Sequence, residues 1–417
     1  MKFLHLADLH LGKSIYGVSL IDNGDQIFWA RRFLEKAAAL KPDAVVIAGD
    51  VYDRSAPSGD AVMLLNYILT ELEQMDIPVM LIAGNHDSGQ RLSFAGSILA
   101  KRRIYIAGSV DAEMTHVTVP DKDGSGEVTF WLVPYLFPAA AAQKLGDDSI
   151  GDYETAMRKL LERQGIDFSK RNVLVAHQNV TAGGREAGRG GSESMAGGVG
   201  QMDYRVFDGF DYVALGHIHA SCSVGRREVR FAGSPLCYHF DETKQPAKGL
   251  LLVELGEKGT GADITPVTIP PLHPMREIRG CEEEILAEAE NGTGEMEYLK
   301  IVVTDARITP ELSQTLRELF GSRRSMIMEL VSTFREFGTV SELPGECSEG
   351  KTIEEYFVEL YRERKAQAQP EEKDMELFRF AAGRVRERRS AGKEEENLEE
   401  DAEKLLAYIL EQEEGRG

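Results

Sequence analysis

Short apolar segments recur along the first 275 residues, and each is followed by Gly, Asp or His. They are four or five residues long and mostly rich in Val, Ile and Leu, which is typical of buried β-strands. Helical patterns lie between several of them, at Asp25–Leu40 and Gly59–Met75. The predicted strands are Phe3–Ala7, Ala44–Ala48, Val79–Ala83, Asn172–Ala176 and Tyr212–Leu215.

Strands that alternate with helices predict largely parallel sheets with both faces covered. Three further strand-like segments, around Ile104–Ala107, His116–Val119 and Val128–Val133, have no helical pattern between them. These segments indicate that a second sheet packs on the first. The predicted fold class for residues 1–275 is therefore α/β, a two-sheet sandwich flanked by helices.

A proline cluster at Pro270–Pro274 predicts a domain boundary near residue 275, because prolines end regular structure. Beyond it, the pattern predicts a strand at Tyr298–Val303, a helix at Pro310–Leu319 and a second strand at Met326–Leu330. These elements predict a small α+β capping domain over residues 276–345.

Two segments keep two interpretations each. Residues 346–417 are highly charged with amphipathic helical patterns, so their helices either fold onto their own domain or bind the helices of a partner. The Gly- and Ser-rich segment Thr181–Gly200 is either a plain surface loop or a substrate loop.

The composition sets the class of protein. A chain of 417 residues with 42% hydrophobic residues is long enough for two or three domains with sizeable cores. No apolar run approaches the roughly 20 residues needed to span a bilayer, and Asp8 comes too early for a signal peptide. The four scattered cysteines form no Cys-x-x-Cys pair, which argues against a zinc ribbon and fits a reducing cytoplasm.

The formal net charge of −21 counts against a free-standing nucleic-acid binder, because phosphate contacts need a basic surface. Much of the acidic charge lies in the C-terminal third, and metal ions or a basic partner can supply a positive field. The charge therefore favours a chain that does not grip a polyanion alone, and it leaves a polyanionic substrate open.

Five short polar motifs follow the predicted strands. In an open α/β sheet, the loops at the carboxyl ends of the strands converge on one crevice. We therefore expect the motifs to bring seven nitrogen and oxygen donors together. The motifs are Asp8-Leu9-His10, Gly49–Asp53, Gly84–Asp87, His177 and Gly216–His219, and the donors are Asp8, His10, Asp50, Asn85, His177, His217 and His219.

Seven donors are too many for one ion with an open position and suit two ions that share a bridging carboxylate, for which Asp50 is the natural choice. Imidazole ligands favour Mn²⁺, Fe²⁺ or Zn²⁺ over Mg²⁺ or Ca²⁺. Two such ions can lower the pKa of a shared water and neutralise charge that develops on phosphoryl oxygens. Any motif alone would more often be a turn, a helix cap or a structural histidine; their ordered occurrence favours the metal site.

His86 lies between Asn85 and Asp87, and its ordinary pKa near 6.5 suits proton donation. Asp53 follows Asp50 by three residues and is placed to orient an imidazole. We expect His86 to be the catalytic general acid and phosphate contact, with Asp53 as its partner.

The ordered motifs resemble those of the calcineurin-like metallophosphoesterase superfamily. Phe3–Gly12, Ser192-Glu193, Ala232–Pro235, His239-Phe240 and Tyr298–Asp305 are similar to the SbcD nuclease subunits of bacterial SbcCD complexes. The resemblance implies a fold of two mixed sheets flanked by helices. It implies that one ion binds Asp8, His10, Asp50 and His219, and that the other binds Asp50, Asn85, His177 and His217.

The resemblance also implies a manganese-dependent double-strand exonuclease and hairpin endonuclease that acts in DNA repair, recombination and replication. Its partners would be DNA and an SbcC-type coiled-coil ATPase, with the C-terminal helices docked on the ATPase. The nuclease subunit would be a homodimer within a heterotetramer. Two other hypotheses remain: a stand-alone phosphoesterase for nucleotides or phosphoproteins, favoured by the acidic charge, and a scaffold subunit with a vestigial site, disfavoured by the intact donor set.

Overall fold

In the computed structural model, the chain forms two compact units, residues 1–334 and 335–417. The structure describes residues 1–122, 124, 126–184, 200–245, 248–291 and 296–334, with short stretches between 357 and 379. The predictions for the C-terminal helices, and for most of the Gly-rich segment, therefore lie outside the described residues. Among the described residues, no helix combines the length and apolar character that a membrane crossing requires.

The strands of the described residues fall into two large sheets, one three-stranded sheet and two short pairs. In chain order they are β1 (Lys2–Leu6), β2 (Ser14–Ile15), β3 (Val18–Ser19), β4 (Ala44–Ala48), β5 (Val79–Ile82), β6 (Ile104–Ala107), β7 (Thr115–Pro120), β8 (Glu127–Val133), β9 (Asn172–His177), β10 (Asn179–Thr181), β11 (Gln201–Asp203), β12 (Tyr212–Gly216), β13 (Cys222–Val224), β14 (Arg226–Phe231), β15 (Gly249–Leu255), β16 (Ala262–Thr268), β17 (Met275–Gly280), β18 (Tyr298–Val303) and β19 (Met326–Ser332).

The helices lie between these strands and cover the sheets. The α-helices are α1 (Asp25–Leu40), α2 (Gly59–Gln74), α3 (Gly89–Leu92), α4 (Gly96–Leu99), α5 (Pro138–Leu145), α6 (Tyr153–Glu162), α7 (Glu282–Asn291) and α8 (Pro310–Ser322), and short 3-10 helices lie at Ala100–Arg102, Tyr204–Phe207 and Phe240–Lys244.

The first large sheet has the strand order β16-β15-β1-β4-β5-β6. Strands β1, β4, β5 and β6 run parallel, whereas β15 pairs antiparallel with β1 and β16 antiparallel with β15. Helices α1 and α2 cover its outer face. Each helix presents an apolar stripe, such as Trp29, Phe33 and Ala37 on α1, because residues three or four apart share a helix face.

The second large sheet has the order β13-β14-β12-β9-β8-β7, with parallel central strands and an antiparallel strand at each edge. Its inner face packs on the first sheet. The ring of Phe3 lies edge-on to Phe130 and Tyr212, with centroids 5.4 and 5.5 Å apart. This confirms the predicted two-sheet sandwich, whose core lies between the sheets.

Strands β17, β18 and β19 form a separate parallel sheet, with α7 and α8 as the connections. Leu299, Ile301 and Phe320 form part of its own buried core. The predicted helix at Pro310–Leu319 continues to Ser322. The strand β17 and the helix α7 were not predicted.

One sequence prediction was wrong in its details. Ile104–Ala107 (β6) is the edge strand of the first sheet and not part of the second, because it pairs parallel with β5. The short helices α3 and α4, which the sequence pattern did not indicate, provide the crossover that this parallel pairing requires.

Candidate metal centre

The carboxyl ends of the parallel strands in both sheets meet at one edge of the sandwich. The loops after β1, β4 and β5 come from the first sheet, and those after β9 and β12 come from the second. The structure brings all the residues predicted as metal ligands to this edge. Among the residues that the structure describes, three overlapping groups have potential ligand atoms within 4.8 Å of one another: Asp8, His10 and His219; His10, Asp50 and His86; and Asp8, Asp50 and His177.

The loop after β1 carries the first part of the site. Nε2 of His10 lies 3.2 Å from Nε2 of His219, and both side chains are buried. The buried carboxylate of Asp8 accepts the backbone N–H of His217 at 2.9 Å. Two imidazole nitrogens and a carboxylate therefore face one small volume.

The loops after β4, β5, β9 and β12 carry the second part. Asn85 Oδ1 lies 3.1 Å from His177 Nε2 and 3.1 Å from His217 Nδ1. The carboxylate of Asp50 joins the two parts, because its Oδ2 lies 3.3 Å from His177 Nε2 and 3.7 Å from His10 Nε2. Asp50 thus lies between the two parts of the site, and its role as a bridging ligand stays a prediction.

Several site residues have backbone conformations that non-glycine residues seldom adopt. The φ angles of Asp8, His10, Asp50 and His217 are 53°, 42°, 46° and 101°. Hydrogen bonds between the loops hold these conformations: the N–H of Asp8 donates to Gly49 O at 3.0 Å and that of His10 to Asp50 O at 2.9 Å. Such strain is typical of functional sites, where it aims side chains inward.

Three glycines allow the loops to approach closely. A Cβ atom on Gly84 would lie 2.1 Å from Asp50 Oδ1, and one on Gly49 would lie 2.3 Å from His177 Nδ1. A Cβ atom on Gly216 would lie 2.0 Å from Ala48 O. The glycines of the motifs therefore serve the convergence of the strands directly.

Burial and close charges shift the pKa values across the site. Burial raises the pKa of Asp8 to about 7 and lowers that of His10 to about 4. For His177, burial opposes the charged form, but the Asp50 carboxylate outweighs it and raises the pKa to about 9. Burial also opposes ionisation of Asp50, yet His177 holds its pKa well below the usual range. Shifts of this size cluster at functional sites.

His86 is accessible beside the buried cluster, and its ring centroid lies 4.8 Å from that of His10. Its Nδ1 lies 2.9 Å from the main-chain oxygen of Asp53, not from the carboxylate. The Asp53 carboxylate instead accepts Lys13 Nζ at 2.8 Å and lies 3.6 Å from His10 Nδ1. Asp53 therefore contacts His86 through its backbone carbonyl, and its predicted role as the partner of the catalytic histidine stays a prediction.

Sequence reasoning missed two carboxylates that support the site. The carboxylate of Asp87 accepts the backbone N–H groups of Gly84, Val51 and Tyr52 at 2.8–3.0 Å, which ties the β4 and β5 loops together. Buried Glu242 lies 3.2 Å from His219 Nδ1. Glu242 stands in a polar segment that reads as surface, so no pattern in the sequence marked it.

Two further side chains hold the loop after β1 by its backbone. The amide of Gln26 donates to His10 O at 2.8 Å and accepts Gly12 N–H at 2.9 Å. The hydroxyl of buried Tyr238 donates to Leu9 O at 2.7 Å. Neither residue belongs to a motif, and only the tertiary fold brings them to the loop.

The donor set suits divalent transition metals. Imidazole, carboxylate and amide donors face the same volume from five loops, and none of the described cysteines joins them. His219 is oriented by the Glu242 carboxylate, and His177 Nδ1 lies 2.8 Å from Ala48 O, as expected where the other nitrogen is a ligand. The residues present therefore fit a metal site.

Comparisons with known proteins agree with this geometry. The family model described as calcineurin-like phosphoesterase matches residues 1–221, and the one described as type 5 capsule protein repressor C-terminal domain matches residues 271–365. The SbcD subunit of the nuclease SbcCD from Staphylococcus saprophyticus subsp. saprophyticus is 35% identical over 297 residues, which cover 69% of this chain and 74% of that protein.

Among solved structures, the crystal structure of TT1561 from Thermus thermophilus shares 12% identity. It covers 56% of this chain and 89% of that chain at a TM-score of 0.33, a level at which it adds nothing about the fold. The first family model matches more than half of the chain, and the alignment with the Staphylococcus relative covers more than two thirds of each protein. The chain therefore belongs to the calcineurin-like phosphoesterase family and, within it, to the SbcD nuclease subunits.

Proposed function

We propose that this chain hydrolyses phosphodiester bonds of DNA as the nuclease subunit of an SbcCD-type complex, in DNA repair, recombination and replication. The observation that carries the proposal is the convergence of carboxylate, imidazole and amide donors from five strand ends around Asp50. The SbcD relative favours this function over a stand-alone phosphoesterase.

The proposed centre holds two divalent ions, for which Mn²⁺ is the first choice. Asp8, His10 and His219 would bind one ion with Asp50, and Asn85, His177 and His217 would bind the other with Asp50. When bound, such ions activate water and neutralise charge on phosphoryl oxygens. The protein orients this ligand set through Glu242 behind His219 and through the Ala48 carbonyl behind His177.

His86 is the proposed general acid and phosphate contact. With its Nδ1–H donated to the Asp53 carbonyl, Nε2 is the nitrogen that can carry a proton to the leaving oxygen. Asp53 would also fix His10 and Lys13 through its carboxylate, so its proposed role extends from His86 to the loop after β1.

The decisive experiment measures degradation of double-stranded and hairpin DNA with Mn²⁺, Mg²⁺ or Zn²⁺, with and without the ATPase partner. We expect Mn²⁺ to support cleavage and His86→Ala to reduce it by at least about 100-fold while Mn²⁺ remains bound. His116→Ala is the matched control, because His116 is an exposed histidine stacked on Trp131 in the second sheet. Full activity of His86→Ala would disprove the role of His86.

The proposed domain organisation is a nuclease domain over residues 1–275, a capping domain over 276–345 and partner-binding helices over 346–417. The separate core of the β17–β19 sheet supports the first boundary.

We propose that the helices dock on the coiled-coil base of an SbcC-type ATPase. Unchanged binding of the ATPase after deletion of residues 352–417 would contradict this. We also propose a cytoplasmic location, which the scattered cysteines without a Cys-x-x-Cys pair support.

We also propose that the nuclease subunit is a homodimer within a heterotetramer. The supporting feature is an exposed apolar surface on α2 and on the segment after β5, here called the α2 patch. Phe94 and Ile98 are 81% and 65% exposed, and Val62 and Phe94 line one groove. Monomers seldom leave a large apolar patch uncovered, and a second copy would bury it. The α2 patch consists of Val62, Met63, Tyr67, Phe94 and Ile98.

A further inference from the structure

Two adjacent residues at the start of α1 face in different directions. Gln26 is buried, and its side-chain amide binds the backbone of the metal-site loop at Leu9, His10 and Gly12 with distances of 3.3, 2.8 and 2.9 Å. Helix α1 thus helps to fix the position of the His10 backbone through Gln26.

Asp25, the preceding residue, faces the other way. One of its carboxylate oxygens lies 2.9 Å from Nδ1 of His273 and the other accepts the hydroxyl of Tyr298 at 2.5 Å. His273 lies in the connection that leads to the β17–β19 sheet, and Tyr298 begins the central strand of that sheet. The first turn of α1 therefore contacts both the loop after β1, here called the metal loop, and the β17–β19 sheet, here called the capping sheet.

The contact between the start of α1 and the capping sheet has a buried polar side and a side that borders a cavity. Asp25 is 2% exposed, so its carboxylate depends on these donors for the hydrogen bonds that water would otherwise supply. A cavity of about 160 Å³ adjoins the network, lined by Asp25, His273 and Tyr298 together with Ile15 and Leu20 of the segment that follows the metal loop. The hydrogen bonds thus fix a contact that packing alone leaves loose.

We propose that Tyr298 and His273 are positioning residues for the metal centre, acting through Asp25 and Gln26 on the backbone of Leu9–Gly12. A carboxylate that loses its donors shifts toward water or other partners, and the first turn of α1 shifts with it. Gln26 then holds His10 less firmly. The inference rests on the proposed metal centre and goes beyond it, because contacts made by the capping sheet would then influence the affinity for the metal ions.

The test uses the full-length chain carrying Tyr298→Phe, which removes the hydroxyl and keeps the ring. Two readouts are measured: the dissociation constant for Mn²⁺ by calorimetry on metal-stripped protein, and amide hydrogen exchange of residues 9–12. We expect Mn²⁺ binding to weaken by about 3–10-fold, since loss of outer-shell partners typically costs 10–100-fold and this one acts indirectly. Exchange at residues 9–12 should become faster.

Thr309→Ala is the matched control, because Thr309 caps α8 within the capping domain, with its side chain accepting the N–H of Leu312. It should lower the melting temperature and leave Mn²⁺ affinity and loop exchange unchanged. If Tyr298→Phe behaves like this control, the inference is overturned. If the wild-type chain itself binds no Mn²⁺, the metal-centre proposal fails, and the exchange of residues 9–12 still tests the coupling by itself.

Discussion

Glu242 supports the candidate metal centre from behind one of its predicted ligands, His219. Its carboxylate lies 3.2 Å from His219 Nδ1 and 2.9 Å from Lys248 Nζ, in a buried position. We expect Glu242→Gln to weaken Mn²⁺ binding by about 10–100-fold, since the carboxylate fixes the ring orientation and raises its basicity. Calorimetry with Mn²⁺ checks this. The neighbouring Asp241→Asn, at an exposed carboxylate, should bind Mn²⁺ like the wild type.

His5 predicts a pH dependence of stability. It is buried between the sheets beside Tyr212, and burial lowers its pKa to about 3, below the unfolded value of 6.5. Its contribution is therefore complete above pH 6.5 and is lost as the pH falls toward 3, because only the unfolded state takes up the proton. Between pH 7 and 5 this loss is about 2 kcal/mol.

Urea unfolding of the wild type and of His5→Gln at pH 7 and pH 5 measures this loss. Gln does not titrate and can still bond to the Tyr212 hydroxyl. The variant should therefore lose about 2 kcal/mol less stability between the two pH values. Parallel losses in both proteins would mean that His5 is protonated in the folded state.

Three of the five loops that form the site depend on a glycine at the end of a strand. A methyl group on Gly84 would overlap Asp50 Oδ1 at 2.1 Å, so either Asp50 or the β5 loop must move. We expect Gly84→Ala to weaken Mn²⁺ binding by more than about tenfold, because a ligand displaced from its position loses coordination. Gly59→Ala, where a Cβ meets nothing within 4 Å, is the control and should bind Mn²⁺ normally.

The elements differ in how readily the sequence reveals them. Strand Ala44–Ala48 was predicted with its observed bounds, because five buried apolar residues followed by Gly and Asp form a strong local signal. The donor set followed from such strands, since their ends must converge. The pairing of β15 with β1 has no local signal, because it joins segments about 250 residues apart. The supporting roles of Glu242, Gln26 and Asp87 could not be predicted for the same reason, because the tertiary fold decides which residues they contact.

At the scale of the whole molecule, the α2 patch predicts the oligomeric state. Phe94→Asp places a charge at the most exposed side chain of the α2 patch, so the proposed dimer should dissociate more than about tenfold more readily. Light scattering after size-exclusion chromatography measures the mass. Phe168→Asp is the control, because Phe168 is 41% exposed and lies outside the α2 patch. An unchanged dimer in Phe94→Asp would place the interface elsewhere.

The central position of β1 in the first sheet has a consequence for biosynthesis. Phe3 pairs with Val253 on one side and with Ala44 on the other. At about 5–20 residues per second, a ribosome needs roughly 12–50 s to make the 250 residues between them. Through that interval strand β1 of the nascent chain lacks its neighbour β15 and presents an open edge. The first large sheet, whose strand β1 leads into Asp8 and His10, is therefore completed only after β15 has been synthesised, and we expect chaperones to bind its open edge until then.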